Sequence, residues 1–132
     1  MKLDLMEVID NLKFSTIKAS KIHGLGLFAT RSIAKDTMLG TLDGQVIPEV
    51  LNNKLALAFE WNALEEDTLL VRPYRTKYSY INHQRTPNLI LVGYPIVVTA
   101  LQDIPKGTEL TLDYRKEKLS TNYIETKGKY YL

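Results

Sequence analysis

The chain has 132 residues, 45% of them hydrophobic and 24% charged, with a formal net charge of +2 spread over mixed Lys, Arg, Asp and Glu. That length suits one domain spanning residues 1–132 with one core, and the balance gives no support to disorder, a bilayer-spanning segment or direct nucleic-acid binding. With no cysteine and only His23 and His83 as histidines, disulfides and thiolate zinc sites are excluded, and no metal is expected.

Asp4, Glu7 and Asp10 interrupt every apolar stretch at the start, so a secretory leader is not expected and the economical reading is cytoplasmic, or nuclear in a eukaryotic host. Phe14 to Lys18 alternates apolar and polar residues, which predicts a strand. Gly24-Leu25-Gly26 then precedes the apolar run Leu27-Phe28-Ala29, a pattern in which backbone shape matters at the turn. A helix is predicted from Pro48 to about Asn53, since proline is tolerated in a first helical turn. Leu55, Leu57, Phe59 and Trp61 recur every second residue and predict a strand, with a competing helical pattern in Leu51, Leu55 and Ala58. Thr68 to Val71 is a further strand. Between these, Glu60, Glu65, Glu66 and Asp67 read as a solvated acidic loop that could otherwise attract a basic partner.

Pro73 can open a short helix that places Tyr74, Tyr78 and Ile81 on one face and leaves Asn82 and His83 at its end. Tyr74, Tyr78 and Tyr80 read first as core aromatics, and Trp61 divides between core and a substrate wall. Leu89 to Val92 and Ile96 to Leu101 flank Gly93-Tyr94-Pro95 as a hairpin, and Asp103 to Thr108 makes the next turn. Ala29, Ile33, Lys35, Thr37 and Leu39 recur, at one constant interval, as Ala100, Ile104, Lys106, Thr108 and Leu110, so one strand-turn-strand unit is used twice. The fold class that follows is mostly β with short helices.

Two strings, Tyr80-Ile-Asn-His-Gln-Arg-Thr-Pro-Asn88 and Glu109-Leu-Thr-Leu-Asp-Tyr114, follow Gly24-Leu25-Gly26 in that order. Together they resemble the SET-domain protein-lysine methyltransferases, over a core of about residues 14–114. The resemblance implies a β-clip architecture of small sheets with a C-terminal pseudoknot that brings Asn82, His83 and Tyr114 around one site; the tail beyond it, residues 115–132, is a candidate to close the substrate channel. It implies methyl transfer from S-adenosylmethionine to a lysine of a protein partner such as a histone or another basic protein. On that resemblance Tyr114 is the catalytic tyrosine, acting as a hydrogen-bonding orienter because a phenol with a pKa of about 10 is a poor base at neutrality. His23, Gly24, Leu25 and Gly26 form the turn that contacts the donor. Asn82 accepts from the donor ammonium, His83 packs beside its adenine, and Tyr80 supports the same pocket.

Substrate-channel positions implied in the same way are Leu112, Trp61, Tyr74 and Tyr123. Several residues depart from the family pattern. Gln84 and Arg85 replace the serine and cysteine that commonly follow Asn-His, and the cysteine-rich segment after the tyrosine is absent. Leu112 stands where many members carry Phe or Tyr and leaves room for higher methylation. Tyr123, Tyr130 and Tyr131 are candidates to replace the zinc segment by folding over the channel, or to be mobile or oligomer contacts such as those of a homodimer. Two other functions remain: a catalytically degenerate SET-like interaction module, and a SAF-type β-clip binding domain suggested by Ala100 to Thr111.

Overall fold

A computed structural model describes residues 8–48, 59–65, 68–119, 121–126 and 128–132. Twelve short strands run through them: β1 (Val8–Ile9), β2 (Ser15–Ala19), β3 (Leu25–Ala29), β4 (Met38–Leu42), β5 (Gln45–Pro48), β6 (Glu60–Glu65), β7 (Thr68–Arg72), β8 (Arg75–Thr76), β9 (Asn82–His83), β10 (Leu89–Val92), β11 (Ile96–Ala100) and β12 (Glu109–Leu112). They form four small sheets, ordered β1-β8, β10-β11-β4, β2-β3-β12-β9 and β5-β7-β6. The alternation of β11 explains its place, since Ile96, Val98 and Ala100 are buried while Val97 and Thr99 are only partly so. Its β-branched residues suit a pleated surface buried on one face.

The main core gathers Leu27, Leu39, Leu89, Val98, Leu110 and Leu112 from two of the sheets, together with Tyr78 and Ile81. A second cluster of Ala63, Leu69, Val71 and Leu119 lies under Trp61, Tyr123 and Leu132. The repeat read in the sequence is a pseudo-twofold in space. Ile33 and Ile104 bond reciprocally through their backbones, at 2.8 and 2.7 Å. Around that pair each bond has its mate: Asp36 N–H to Ala100 O mirrors Gly107 N–H to Ala29 O, and Ala100 N–H to Thr37 O mirrors Ala29 N–H to Thr108 O. Asp36 and Gly107, equivalent in the repeat, both adopt the left-handed conformation, with φ of 71° and 86°.

The hairpin Leu89–Val92 to Ile96–Ala100 forms as the sequence predicts, in register from Leu89 opposite Ala100 to Val92 opposite Val97. Three expectations are corrected. Pro48 closes β5 opposite Thr68 and does not open a helix; the remainder of that helix, Leu51, Leu55, Leu57 and Ala58 lie outside the described residues, as do Glu66 and Asp67. Glu60 is not solvated: it is 7% exposed on β6 and sits opposite Arg72, itself 1% exposed, on β7. A buried guanidinium needs acceptors, so Glu60 pairs with its Nε, Asn62 accepts from Nη2 at 2.8 Å and the Asp43 carbonyl from Nη1 at 2.8 Å. That requirement turns Glu60 and Asn62 of β6 inward and leaves Trp61 half-buried.

The helix expected after Pro73 shrinks to a 3-10 turn, Lys77–Tyr80, because Arg75–Thr76 are drawn into a parallel pairing with β1. Thr76 caps the turn by accepting from Tyr78 N–H. Tyr78 and Ile81 are buried as expected, Tyr80 packs partly buried against the core, and Tyr74, ahead of the turn, is 41% exposed.

Gly107 has open space where a Cβ would project. Gly107→Ala is therefore expected to cost only the left-handed backbone penalty, about 1–2 kcal/mol, read as a lower urea midpoint with an unchanged slope.

Candidate functional site

β12 joins the distant strings. Its first half pairs antiparallel with β3, Glu109 opposite Phe28 and Leu110 opposite Leu27. Its second half pairs parallel with β9, Thr111 opposite Asn82 and Leu112 opposite His83. The bond from Gln84 N–H to Leu112 O, 2.9 Å, extends that pairing. Asn88 holds the strand from the side, since its Nδ2 donates to Glu109 O at 2.8 Å and its Oδ1 accepts from Thr111 N–H at 2.9 Å. Sequence reasoning gave Asn88 no role, although it closes the first of the two strings.

Asn82 is oriented by acceptors that its Nδ2 reaches: Glu109 Oε2 at 2.8 Å, Ser20 Oγ at 3.1 Å and the His23 carbonyl at 3.1 Å. Ser20 donates to the same Glu109 carboxylate at 2.8 Å. The amide's donors are thereby turned toward the loop, which leaves Oδ1 as its acceptor. Gly26 is where close approach matters, because a Cβ there would lie 2.3 Å from Glu109 Oε2. Ser20 and Glu109 are site residues to which the sequence reading gave no role, although Glu109 opens the second string and Ser20 lies shortly before Gly24.

Tyr114 follows β12 and donates its hydroxyl proton to Ile81 O at 2.6 Å, which leaves the oxygen's lone pairs for another donor. Burial pushes the phenol well above its ordinary pKa, so it orients and does not ionise. Its backbone N–H donates to His83 Nδ1 at 3.1 Å. With Nδ1 an acceptor, the ring is the neutral tautomer carrying its proton on Nε2; burial lowers the imidazole's pKa in the same direction. That Nε2 is buried without a partner among the described residues.

Two cavities meet at Tyr114. The larger, about 570 Å³, is walled by Ile22, His23, Ile81, Asn82 and His83. The smaller, about 200 Å³, is walled by Trp61, Tyr78, Glu117 and Tyr123 among others. Ser79, Tyr114 and Tyr131 belong to both walls. Of the residues the sequence proposed, His23, Asn82, His83, Trp61, Tyr114 and Tyr123 are brought to these cavities. Gly24, Leu25, Gly26, Tyr80 and exposed Tyr74 line neither cavity, and Leu112 is 2% exposed inside the main core. The pleat explains Leu112: neighbours on a strand point to opposite sides, and its side chain packs inward beside Leu110 and Tyr78.

The tail packs over the site. Trp61 and Tyr123 meet edge-on at 5.0 Å, Tyr123 and Tyr131 share a hydroxyl hydrogen bond, and Tyr131 meets His83 edge-on at 6.2 Å. Arg85 donates to the backbone oxygen of Leu132 at 2.8 Å, and Lys118 pairs with Glu65 at 3.0 Å.

Comparison with known proteins places the strings in context. A family model described as the SET domain matches residues 24–115. Histone-lysine N-methyltransferase 2D of Homo sapiens is 33% identical over 114 residues, covering 73% of this chain and 2% of that protein. The H3 lysine-4 specific histone-lysine N-methyltransferase of Schizosaccharomyces pombe is 30% identical over 142 residues, covering 86% of this chain and 15% of that protein. The chain thus spans a small part of these relatives' lengths. A solved chain of apo ctPRC2 with mutations in Ezh2 is similar in fold, with a TM-score of 0.66 at 23% identity, over 80% of this chain and 15% of that one.

Asp113, between β12 and Tyr114, is 2% exposed. Its bonds with Arg115 hold the carboxyl down at about 2, well below the ordinary 3.8, against the opposing effect of burial. A lowered folded-state pKa contributes stability above the unfolded value that disappears as pH falls through the folded one. Asp113→Asn is expected to melt below the wild type at neutral pH, with the two melting curves converging between about 3.8 and about 2, as followed by circular dichroism.

Proposed function

Because the chain belongs to the SET-domain family, as the match over residues 24–115 establishes, we propose that it transfers methyl groups from S-adenosylmethionine to a lysine of a protein substrate, with histones as the first candidate class. Histone-lysine methyltransferase relatives support that reading at family level. The observation that carries it is the meeting of two differently lined cavities at one tyrosine hydroxyl.

The larger cavity fits the donor. Its volume, about 570 Å³, lies in the ordinary range for a small-molecule site. Its wall carries the acceptor Oδ1 of Asn82, suited to an ammonium, and the His83 ring, whose Nε2–H lacks a partner among the described residues. The donor, when bound, supplies a methyl group on a cationic sulfur that is already a good leaving group. What the protein adds is position. Tyr114, fixed by its bond to Ile81 O, keeps lone pairs at the junction where the methyl and the amine approach.

The smaller cavity fits a lysine side chain. Trp61, Tyr78, Tyr114, Tyr123 and Tyr131 give it aromatic walls that can cover an aliphatic stem and attract its cation. A desolvated channel also disfavours the ammonium and so favours the attacking amine. The tail supplies two of those rings, Tyr123 and Tyr131, without a metal-binding segment.

The test is incubation with methyl-labelled S-adenosylmethionine and a core-histone mixture. Wild type is expected to transfer label, and Tyr114→Phe to do so about 10²-fold more slowly, with S-adenosylhomocysteine affinity by calorimetry unchanged. Donor binding by wild type with no label transferred to any protein would instead make the chain a binding module.

A further inference from the structure

Two carboxylates face the smaller cavity, Glu60 and Glu117. Glu60 is committed elsewhere: it pairs with Arg72 and accepts from Thr76 N–H, Thr76 Oγ1 and Ser79 Oγ. Burial alone would raise its carboxyl, but those bonds bring it below the ordinary value. It remains an ion within a saturated network.

Glu117 differs. It caps the 3-10 turn Tyr114–Lys116 with its N–H bonded to Tyr114 O at 3.2 Å, which returns its side chain to the cavity that Tyr114 ends. No group among the described residues donates to its carboxylate, and burial pushes it up to about 7. On its other side Glu117 lines a groove of about 560 Å³ together with Glu65, Lys116 and Lys118. Glu117 therefore belongs to the walls of both the aromatic cavity and that groove.

We propose that Glu117 is the proton acceptor for the target lysine, an assignment that rests on the methyl-transfer reading above. The carboxylate draws the ammonium into the channel and takes one proton from its Nζ. The freed lone pair forms the N–C bond to the methyl carbon while the S–C bond breaks with its electron pair going to sulfur. The positive charge moves from sulfur to the methylated nitrogen. The proton on Glu117 leaves to water in the adjoining groove.

Other groups facing this position are less suited. Burial pushes the Tyr78, Tyr114 and Tyr131 phenols far above neutrality. Glu60 is held ionised in its pair with Arg72; Lys116 and Lys118 are cations, and Lys118 is turned to Glu65. His83 faces the other cavity with Nδ1 already occupied. A free lysine has a pKa of about 10.4, so an acceptor raised to about 7 gives up less driving force than an ordinary carboxylate while remaining about half ionised at neutral pH.

The experiment measures kcat/KM for label transfer to core histones across pH for wild type, Glu117→Gln and Glu117→Asp. Wild type is expected to gain activity through an ionisation near about 7. Glu117→Gln should lose that limb and fall about 10²-fold, with S-adenosylhomocysteine affinity unchanged, while Glu117→Asp keeps the limb. Because ionising a carboxyl whose folded pKa is raised opposes folding, Glu117→Gln should melt no lower than wild type on the alkaline side of the limb, which separates a chemical loss from a folding loss. Wild-type rates in Glu117→Gln, or slower rates with the limb intact, would overturn the assignment while leaving methyl transfer standing. Wild type that binds the donor yet transfers no label at any pH would overturn the methyl-transfer reading itself, and this assignment with it.

Discussion

The position of β12 between β3 and β9 is the constraint on which the site depends. Four residues, Glu109 to Leu112, bond antiparallel to one strand and parallel to another, and those partners lie far apart in the chain. Threading of this kind is rare because a late segment must enter a space that earlier ones have already bounded. Here the side chain of Asn88 occupies backbone groups of β12 that neither partner strand satisfies. Leu110 and Leu112 anchor the strand in the core, and Glu109 reaches Asn82 and Ser20 at its edge. The strand ends where Asp113 and Tyr114 engage Arg115, His83 and Ile81. Strand pairing and site assembly are therefore one event.

A second constraint lies beneath the aromatic cavity. Arg72 is buried, and a buried cation is costly unless paired and fully hydrogen-bonded. Glu60, Asn62 and the Asp43 carbonyl meet that need, and Glu60 also collects Thr76 and Ser79. The network thus ties the β6-β7 pair to the 3-10 turn that carries Tyr78 and Ser79. Arg72 lies 5.5 Å from the Tyr78 ring, so the same cation also supports the aromatic wall. Stability and the shape of the aromatic cavity depend on one cluster.

The described part of the tail lies against the smaller cavity through aromatic and backbone contacts. Arg85, which stands where the family pattern commonly has a cysteine, donates to the Leu132 carbonyl, and Tyr131 close by meets both His83 and Tyr123. A planar guanidinium on a carbonyl and edge-on aromatic contacts hold the tail there. The hold of the tail therefore depends on aromatic packing along the wall of that cavity.

Much of this was legible locally. The alternation of Ile96 to Ala100, the turn at Gly93 to Pro95 and the repeat around Ile33 and Ile104 are properties of short spans or of matched pairs, so the residues themselves determined them. The strings at Asn82 and Tyr114 also identified the family, because their residue types and order are specific. Tertiary structure decided the rest. Whether Glu60 is solvated depends on Arg72 across a strand pair, whether the segment after Pro73 coils depends on Val8 and Ile9 drawing Arg75 and Thr76 into a sheet, and whether Leu112 faces a cavity depends on the register of β12. Each is a long-range pairing that satisfies a buried charge or a backbone bond, and no local propensity encodes the identity of a distant partner.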